Sequence, residues 1–311
     1  MKLGLSSYTF GWGVGVRDHE PERPLDEHGL LDKCAEQGVK LLQIGDNLPL
    51  HLFDVARLDR LAERAARDGV QLEVGVRGLT IQRVANCAAI ARRLGAKLIR
   101  LVIDDAGYHP DPKTVTALLR EAVPFLNGLT LGIENHDRFP AATLRAMIEA
   151  AGSDRIGVFL DTANSLGAGE GLDAVVKELG PLTVNLHIKD FHIVRVPHLM
   201  GFNVEGRPAG HGFLNLPRLL EQLAPFNRCR TAVLELWTPP DPCLEDTISS
   251  PRNLRRLQWL CSALSAVNNA LTHSRGYQRV VWSKNSNGWH LVRQLGRRET
   301  FGEQECCEVS R

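Results

Sequence analysis

Four short stretches of the sequence end an apolar run with a side chain that can bind a metal ion or transfer a proton. They are GIENH, FLDTANS, NLHIKD and VLELW, and the side chains are Glu134, Asp161, His187 and Glu235. Carboxylates and imidazoles act both as metal ligands and as general acids or bases. Any one of them alone could be a cap or a surface residue, so the chemistry depends on whether the fold brings the four together.

The runs that carry these side chains belong to a regular alternation of predicted elements. Eight short aliphatic runs predict strands, near residues 2 to 7, 40 to 45, 71 to 76, 97 to 103, 129 to 134, 156 to 161, 183 to 189 and 230 to 236. Amphipathic segments predict helices, near residues 27 to 37, 55 to 68, 80 to 95, 111 to 126, 140 to 151, 170 to 179, 215 to 224 and 250 to 270. Asp111 and Ser250 each precede a proline, which predicts a capped helix start at both places.

Eight strand and helix repeats with short connections predict an α/β fold, a single (β/α)₈ TIM barrel of parallel strands. An open, doubly wound sheet is the alternative, but no G-x-G-x-x-G turn follows the first strand, where a dinucleotide-binding sheet requires one. We assign residues 1 to 270 to the barrel and residues 271 to 311 to a C-terminal extension. The extension lacks a clear period, and both a disordered tail and an arm that packs on a partner subunit fit it.

Alternate residues of a strand share a face, which separates an aliphatic set from a second set on each of the last four strands. On the fifth strand Ile133 faces the helices and Glu134 faces the barrel interior. Asp161, His187 and Glu235 have the same interior phase on the sixth, seventh and eighth strands. The carboxyl ends of barrel strands form the face where active sites lie, so we expect the four side chains to converge there.

Three carboxylates and an imidazole in a desolvated barrel mouth repel one another unless a cation joins them. We therefore predict a divalent metal site. Oxygen-rich ligands with one imidazole favour Mn²⁺, with Mg²⁺ and Co²⁺ as alternatives and Zn²⁺ less typical. Such a metal can chelate a carbonyl and the neighbouring hydroxyl and stabilise an enediolate, while a carboxylate on each side of the substrate moves the proton.

The four stretches, in this order and roughly this spacing, resemble the xylose isomerase-like barrel superfamily. The similarity covers about residues 1 to 270 and is strongest to the branch of sugar phosphate isomerases and epimerases that includes ketose 3-epimerases and inosose dehydratase. It implies that Glu134, Asp161, His187 and Glu235 are the metal ligands and that the two glutamates are also the catalytic acid and base.

The sequence thus predicts a metal-dependent sugar isomerase or epimerase that abstracts a proton next to a carbonyl through a metal-stabilised enediolate. The alternative is a lyase, a dehydratase of a keto-cyclitol or dehydroshikimate-like substrate, in which the same intermediate expels a β-hydroxyl. A non-catalytic sugar-binding barrel is disfavoured, because three acidic ligands exceed what sugar binding needs. An AP endonuclease is disfavoured too, since Asn164 stands where endonuclease IV has a histidine.

Further residues are predicted to contact a polyhydroxylated small-molecule substrate. They lie at strand ends or in the loops beyond them: Trp12, His136, Asn164, Lys189 and Arg207. His136 fits a capping role equally well and Trp12 fits plain packing. Asp190 is expected to orient a ligand or a loop. The loops after the seventh and eighth strands lack an obvious phosphate cradle, so we expect an unphosphorylated substrate.

Two more interior residues, Glu73 and Arg100, are expected to form an ion pair, because charges deep in a barrel need partners. The composition excludes other classes of protein. The formal net charge is +1, with no dense basic block, which disfavours a nucleic-acid partner. The uncharged stretch 3 to 16 is too short to span a bilayer and lacks a signal-peptide cleavage site, so no membrane partner is expected. Seven scattered cysteines favour a cytoplasmic protein, and a homo-oligomer, either a dimer or a tetramer, is compatible with the sequence.

Overall fold

A closed barrel of eight parallel strands is present, as the strand and helix pattern predicts. The structure is a computed structural model that describes residues 1 to 16, 18 to 238, 254 to 273, 280 to 285 and 288 to 293. Its strands are β1 (Lys2–Ser6), β2 (Leu41–Ile44), β3 (Gln71–Arg77), β4 (Leu98–Val102), β5 (Thr130–Glu134), β6 (Ile156–Asp161), β7 (Thr183–Ile188), β8 (Asp190–Arg195), β9 (Phe202–Arg207), β10 (Thr231–Leu234), β11 (Val280–Asn285) and β12 (Gly288–Arg293). The barrel runs from β1 through β7 in chain order, and β10 pairs with both β7 and β1 to close it.

Helices connect successive barrel strands, as parallel crossovers require, and one further helix follows the last barrel strand. They are α1 (Gly11–Val14), α2 (Glu27–Glu36), α3 (Val55–Asp68), α4 (Ile81–Arg93), α5 (Pro112–Ala122), α6 (Ala141–Ala151), α7 (Leu172–Leu179), α8 (Leu216–Leu223) and α9 (Leu254–His273). Asp111 caps α5 by accepting a hydrogen bond from the Thr114 amide, with Pro112 in the first turn, as predicted. The predicted cap at Ser250 lies outside the described residues.

The strand faces follow the predicted phase. Ile133, Leu160, Leu186 and Leu234, which point towards the helices, are completely buried and belong to one continuous apolar core. This core positions the strands, so their interior side chains have fixed places at the carboxyl ends. None of the described helices combines the length and the hydropathy that crossing a membrane requires.

An antiparallel hairpin of β8 and β9 occupies much of the segment before Gly212 that the sequence analysis treats as a loop. Its register sets Ile193 opposite Val204 and Arg195 opposite Phe202. The Arg195 guanidinium lies 4.5 Å from the centre of the Phe202 ring. The hairpin begins two residues after β7 and therefore stands directly over the carboxyl end of the barrel.

Beyond the barrel, α9 extends from Leu254 to His273, and β11 and β12 pair antiparallel in the C-terminal segment. The helix ends close to the predicted domain boundary at residue 270. The division into a barrel and an extension, and the role of the extension, remain predictions.

Candidate metal centre and substrate cleft

The four predicted ligands converge at the carboxyl end of the barrel. Ligand atoms of Glu134, Asp161, His187 and Glu235 all lie within 4.8 Å of one another, and this is the one group of metal-competent side chains found among the described residues. Each residue is at most 2% exposed. Such close, buried acidic groups need a cation between or beside them.

Strand register explains this convergence. Asp161 pairs with His187 between β6 and β7, and Val233 pairs with His187 between β10 and β7, so Glu235 emerges two residues further along. Asn135 joins the ends of β5 and β6, because its side chain accepts a hydrogen bond from the Asp161 amide at 2.7 Å and donates one to the Asp161 carbonyl at 3.0 Å.

Gly132 provides room beneath the centre. A Cβ atom at this position would lie 1.9 Å from the Phe159 ring, so only glycine allows that ring to fill the barrel interior below Glu134. The Phe159 ring in turn packs edge-on against His187, with 5.3 Å between ring centres.

Two buried cations contact the carboxylates. Lys189 Nζ lies 2.7 Å from Asp161 Oδ2 and 2.9 Å from Glu235 Oε2, and Arg100 bonds both Glu134 and Asp46. The expected ion pair between Arg100 and Glu73 is therefore wrong: Arg100 reaches up to Glu134 instead.

The same contacts determine the protonation of the two glutamates. Burial, the largest single influence, would raise the pKa of Glu134, but Arg100, Lys189 and other nearby groups together outweigh it and lower that pKa. Burial also opposes ionisation of Glu235, yet the Lys189 ammonium holds the pKa of Glu235 far below its usual value. Conversely, Asp161 and Glu235 outweigh the effect of burial and raise the pKa of Lys189. Both glutamates are thus ionised at neutral pH.

His187 is the clearest sign that a cation belongs in this centre. Its Nδ1 atom lies 3.5 Å from Glu235 Oε1, 3.7 Å from Glu134 Oε2 and 3.9 Å from Asp161 Oδ2. Both ring nitrogens are buried, and neither has a hydrogen-bond partner among the described residues. A ring nitrogen aimed at three carboxylates without a hydrogen bond fits a metal ligand, and the donor set of three carboxylates and one imidazole fits a divalent ion.

The charges around the centre nearly balance. The charged side chains in contact there are four carboxylates and three cations, namely Asp46, Glu134, Asp161, Glu235, Arg77, Arg100 and Lys189. Four negative charges against three positive ones leave one negative charge, without His187 in the count. The two charges of a divalent ion would turn this into one positive charge.

Two of the predicted substrate-binding residues contact the candidate metal-binding side chains directly. Asn164 Nδ2 donates to Glu134 Oε1 at 2.8 Å, and Lys189 Nζ lies 3.4 Å from the Asn164 side-chain oxygen. His136 instead places Nδ1 at 2.8 Å from Asp137 Oδ1 and is half-buried. The structure therefore brings Asn164 and Lys189 into the centre and leaves His136 at its edge.

Trp12 and Arg207 line a cleft beside the centre. The cleft has a volume of about 590 Å³, and Tyr8 and Trp237 form other parts of its wall. Trp12 Nε1 donates to the Thr238 carbonyl at 2.9 Å, and Arg207 pairs with Glu205 at 2.9 Å. The Lys189 ammonium lies 5.7 Å from the centre of the Trp237 ring, which connects the cleft to the centre.

Ser6 is a contact that the sequence analysis missed. Its hydroxyl donates to Glu235 Oε1 at 2.8 Å, across the seam where β10 meets β1. The signal was available, because Ser6 ends β1 and precedes a capped turn at Ser7–Phe10. Its partner could not be inferred without the closed barrel, since the two residues are 229 positions apart.

Asp190 orients a loop rather than a ligand. Its carboxylate accepts hydrogen bonds from the amides of Gly210 and Gly212 at 2.8 and 2.9 Å and of Leu214 and Phe191 at 2.9 and 2.8 Å. The carboxylate therefore fastens the segment after the hairpin onto the strand end next to Lys189.

Replacing Asp190 by asparagine should loosen this segment, because an amide NH₂ group would face backbone N–H groups that need an acceptor. We expect a loss of about 1 to 3 kcal/mol in the free energy of unfolding, with faster hydrogen exchange at Gly210 and Gly212. Asp173→Asn, at an exposed ion pair with Arg218, is the control. Equal losses in both variants would contradict the anchoring role.

Comparisons with known proteins agree with the fold. Residues 31 to 258 match the family model of xylose isomerase-like TIM barrels. The 3-oxo-isoapionate decarboxylase of Pectobacterium atrosepticum is 31% identical over 249 residues, which cover 79% of this chain and 90% of that protein. A zinc-containing structure of the IolI protein superposes with a TM-score of 0.65 at 16% identity, covering 89% of this chain and 100% of that one. A D-psicose 3-epimerase structure with D-fructose superposes with a TM-score of 0.64 at 16% identity, covering 89% and 99%. At these identities the two superpositions show a shared fold.

Proposed function

The chain belongs to the xylose isomerase-like TIM barrel family, and from this premise we propose that it is a divalent-metal-dependent lyase that removes CO₂ from a small, polyhydroxylated 3-oxo acid. The observation that carries the proposal is the pair of buried cations, Lys189 and Arg100, within a centre of carboxylates. Mn²⁺ is the ion we propose, since three carboxylates and one imidazole suit it.

The cations favour an anionic substrate. With a divalent ion bound, the charged groups in contact around the centre would carry one net positive charge, which a substrate carboxylate neutralises. A neutral sugar would leave that charge uncompensated among side chains that are mostly buried, and uncompensated buried charge is costly. A sugar acid therefore fits better than an uncharged ketose.

Glu134, Asp161, His187 and Glu235 would hold the ion, which when bound supplies Lewis-acid polarisation of a substrate carbonyl. Lys189 Nζ, between Asp161 and Glu235, is positioned to hold a substrate carboxylate. Asn164, bonded to Glu134, can donate to or accept from a substrate hydroxyl.

The remaining chemistry requires a group that delivers a proton rather than one that removes it. In a 3-oxo acid, the carboxyl group leaves as CO₂ and its bonding electrons remain on the carbon next to the carbonyl, which then takes up one proton. The ionised glutamates can pass that proton from water to the carbon, and the surrounding burial excludes competing solvent. The nearly complete burial of both glutamates is consistent with this role.

The relatives support the same choice. The decarboxylase is 31% identical across 90% of its length, whereas the epimerase likeness rests on fold alone. A sugar isomerase or epimerase, predicted from the sequence, is the second candidate. It is favoured by Glu134 and Glu235, two carboxylates that reach the centre from different strands and could serve opposite faces of a substrate.

The test is incubation of the Mn²⁺-loaded protein in deuterated water with a panel of 3-oxo sugar acids, ketoses and inososes. We expect CO₂ release from a 3-oxo acid with one deuterium placed on the neighbouring carbon of the product. An isomeric product with solvent exchange and no CO₂ would replace the proposal by an epimerase. Loss of water with a conjugated chromophore would replace it by a dehydratase.

A further inference from the structure

A second layer of polar side chains lies inside the barrel, below the metal centre. We call it the interior network, and it consists of Gln43, Glu73, Asn185 and Thr231, all buried. Glu73 Oε2 accepts hydrogen bonds from Gln43 Nε2 and Asn185 Nδ2, both at 3.0 Å, and Glu73 Oε1 accepts one from the Thr231 hydroxyl at 2.8 Å. Among the residues that the structure describes, the carboxylate thus takes three donors and no cation.

These bonds determine which way each amide points. The Thr231 hydroxyl gives its hydrogen to Glu73, so its oxygen can only accept, and it does so from Asn185 Nδ2 at 2.7 Å. Rotating the Asn185 amide would set its oxygen against both of these acceptors. Gln43 Nε2 likewise has to face the Glu73 carboxylate. The oxygens of both amides therefore point away from Glu73.

Both amide oxygens lack a hydrogen-bond partner in the described part of the chain, although they are buried. Unpaired buried acceptors are rare in folded proteins because each costs free energy. Gln43 and Asn185, whose amide nitrogens donate to the same oxygen of Glu73, thus offer two buried acceptors that need a donor.

His187, which lies above the two amides in the barrel, is the third residue with an unpaired buried group in the described part of the chain. It follows Asn185 by two residues on β7 and so shares its face. His187 Nδ1 faces the three carboxylates, which leaves Nε2 on the other side of the ring, also buried and without a partner in the described residues. With Nδ1 as the ligand atom, Nε2 carries the hydrogen and needs an acceptor. Metal-binding histidines almost always donate this hydrogen to a carboxylate, a carbonyl or a water.

We propose that one buried water joins these three groups, and that Gln43 and Asn185 are therefore positioning residues for His187. A water molecule has two hydrogens to donate, one for each amide oxygen, and it can accept the hydrogen of His187 Nε2. The three unpaired atoms match this capacity, and buried waters with about three polar partners are common. The role in metal binding rests on the proposed function, whereas the water itself does not.

The water would hold His187 in the tautomer that leaves Nδ1 free to bind the ion. Glu73 contributes indirectly, because it fixes the orientation of both amides. The interior network thus reaches the metal centre through the Gln43 and Asn185 amides and the water, which are neutral groups.

Three variants separate positioning from general stability. Gln43→Met and Asn185→Leu keep the side-chain volume nearly constant and remove one acceptor each. The control Thr183→Val, on the same strand as Asn185, removes a buried hydrogen bond to the Leu179 carbonyl and leaves both acceptors. We expect Mn²⁺ affinity, measured by titration calorimetry, to fall about 10-fold or more in the first two variants and to change less than about twofold in the control. Equal affinities in all three variants, at comparable losses of melting temperature, would overturn the positioning role.

Two readouts on the wild-type protein need neither turnover nor a variant that folds. A high-resolution crystal structure should show a water within hydrogen-bonding distance of Gln43 Oε1, Asn185 Oδ1 and His187 Nε2. Nitrogen NMR of the protein loaded with diamagnetic Mg²⁺ should show His187 with its hydrogen on Nε2. A direct protein contact to Nε2, or a hydrogen on Nδ1, would overturn the inference. A wild-type protein that binds no metal would instead refute the proposed function.

Discussion

Replacing Glu235 by glutamine is expected to lower kcat/KM by about 10³-fold, within the range that loss of a proton-transfer group produces. The substitution keeps the size of the side chain but removes the negative charge that Lys189 and the ion share. Ser6 and Lys189 would then meet an amide in place of a carboxylate oxygen. Steady-state kinetics at saturating Mn²⁺ measures the effect, and Glu134→Gln should behave in the same way.

The matched control is Glu149→Gln. Glu149 lies on the exposed side of α6, where it pairs with Arg145, far from the barrel mouth. Its kinetics should equal those of the wild type. Full turnover by both Glu134→Gln and Glu235→Gln would contradict a role of the two glutamates in the reaction.

Replacing Lys189 by methionine should have the largest effect on the metal-free protein. It leaves Asp161 and Glu235 buried together without their cation, and breaking a buried ion pair costs about 3 to 5 kcal/mol. Denaturation by urea in the presence of a chelator measures this loss. Mn²⁺ is expected to restore most of it, because the ion supplies positive charge to the same carboxylates.

Activity should not return with stability in Lys189→Met. The variant lacks the ammonium that we assign to the substrate carboxylate, so its KM for a 3-oxo acid should rise even when metal saturates the centre. Lys177→Met, on the exposed face of α7, is the control and should match the wild type in both measurements. An unchanged KM, or an equal loss of stability with and without Mn²⁺, would exclude the assigned role.

Strand phase alone predicts where the four candidate ligands lie. Glu134, Asp161, His187 and Glu235 sit at the ends of runs whose other face is aliphatic, and a barrel brings such ends together whatever the details of packing. The two-residue alternation of strand faces is therefore enough to predict this convergence. In the structure, ligand atoms of all four residues lie within 4.8 Å of one another. Whether they bind a metal is a chemical inference from their crowding.

Partners across the barrel interior were harder to predict. Glu73 and Arg100 both face inwards on neighbouring strands. The register, however, pairs Arg100 with Gly75, which lies two residues beyond Glu73 towards the carboxyl end of β3. Arg100 therefore reaches Glu134 and Asp46, and Glu73 turns to neutral donors. The alternation along a strand identifies which face a residue is on. It does not give the level of the residue along the barrel axis, which depends on the stagger of neighbouring strands.

The hairpin was missed for a different reason. Phe191, Ile193, Phe202 and Val204 alternate with polar residues, which is a strand signal. The segment directly follows the seventh barrel strand, and a barrel of eight strands has no place for two more. Local periodicity therefore indicates the hairpin, although the barrel pattern does not.

Crystals of the Mn²⁺-loaded protein, measured at a wavelength where manganese scatters anomalously, test the central claim most directly. We expect one strong peak bonded to Glu134, Asp161, Glu235 and His187 Nδ1, at the distances of about 2 Å that hard divalent cations adopt. Loss of that peak in Asp161→Asn crystals would add to the assignment. An empty centre at millimolar Mn²⁺, or a peak bonded to other residues, would contradict it.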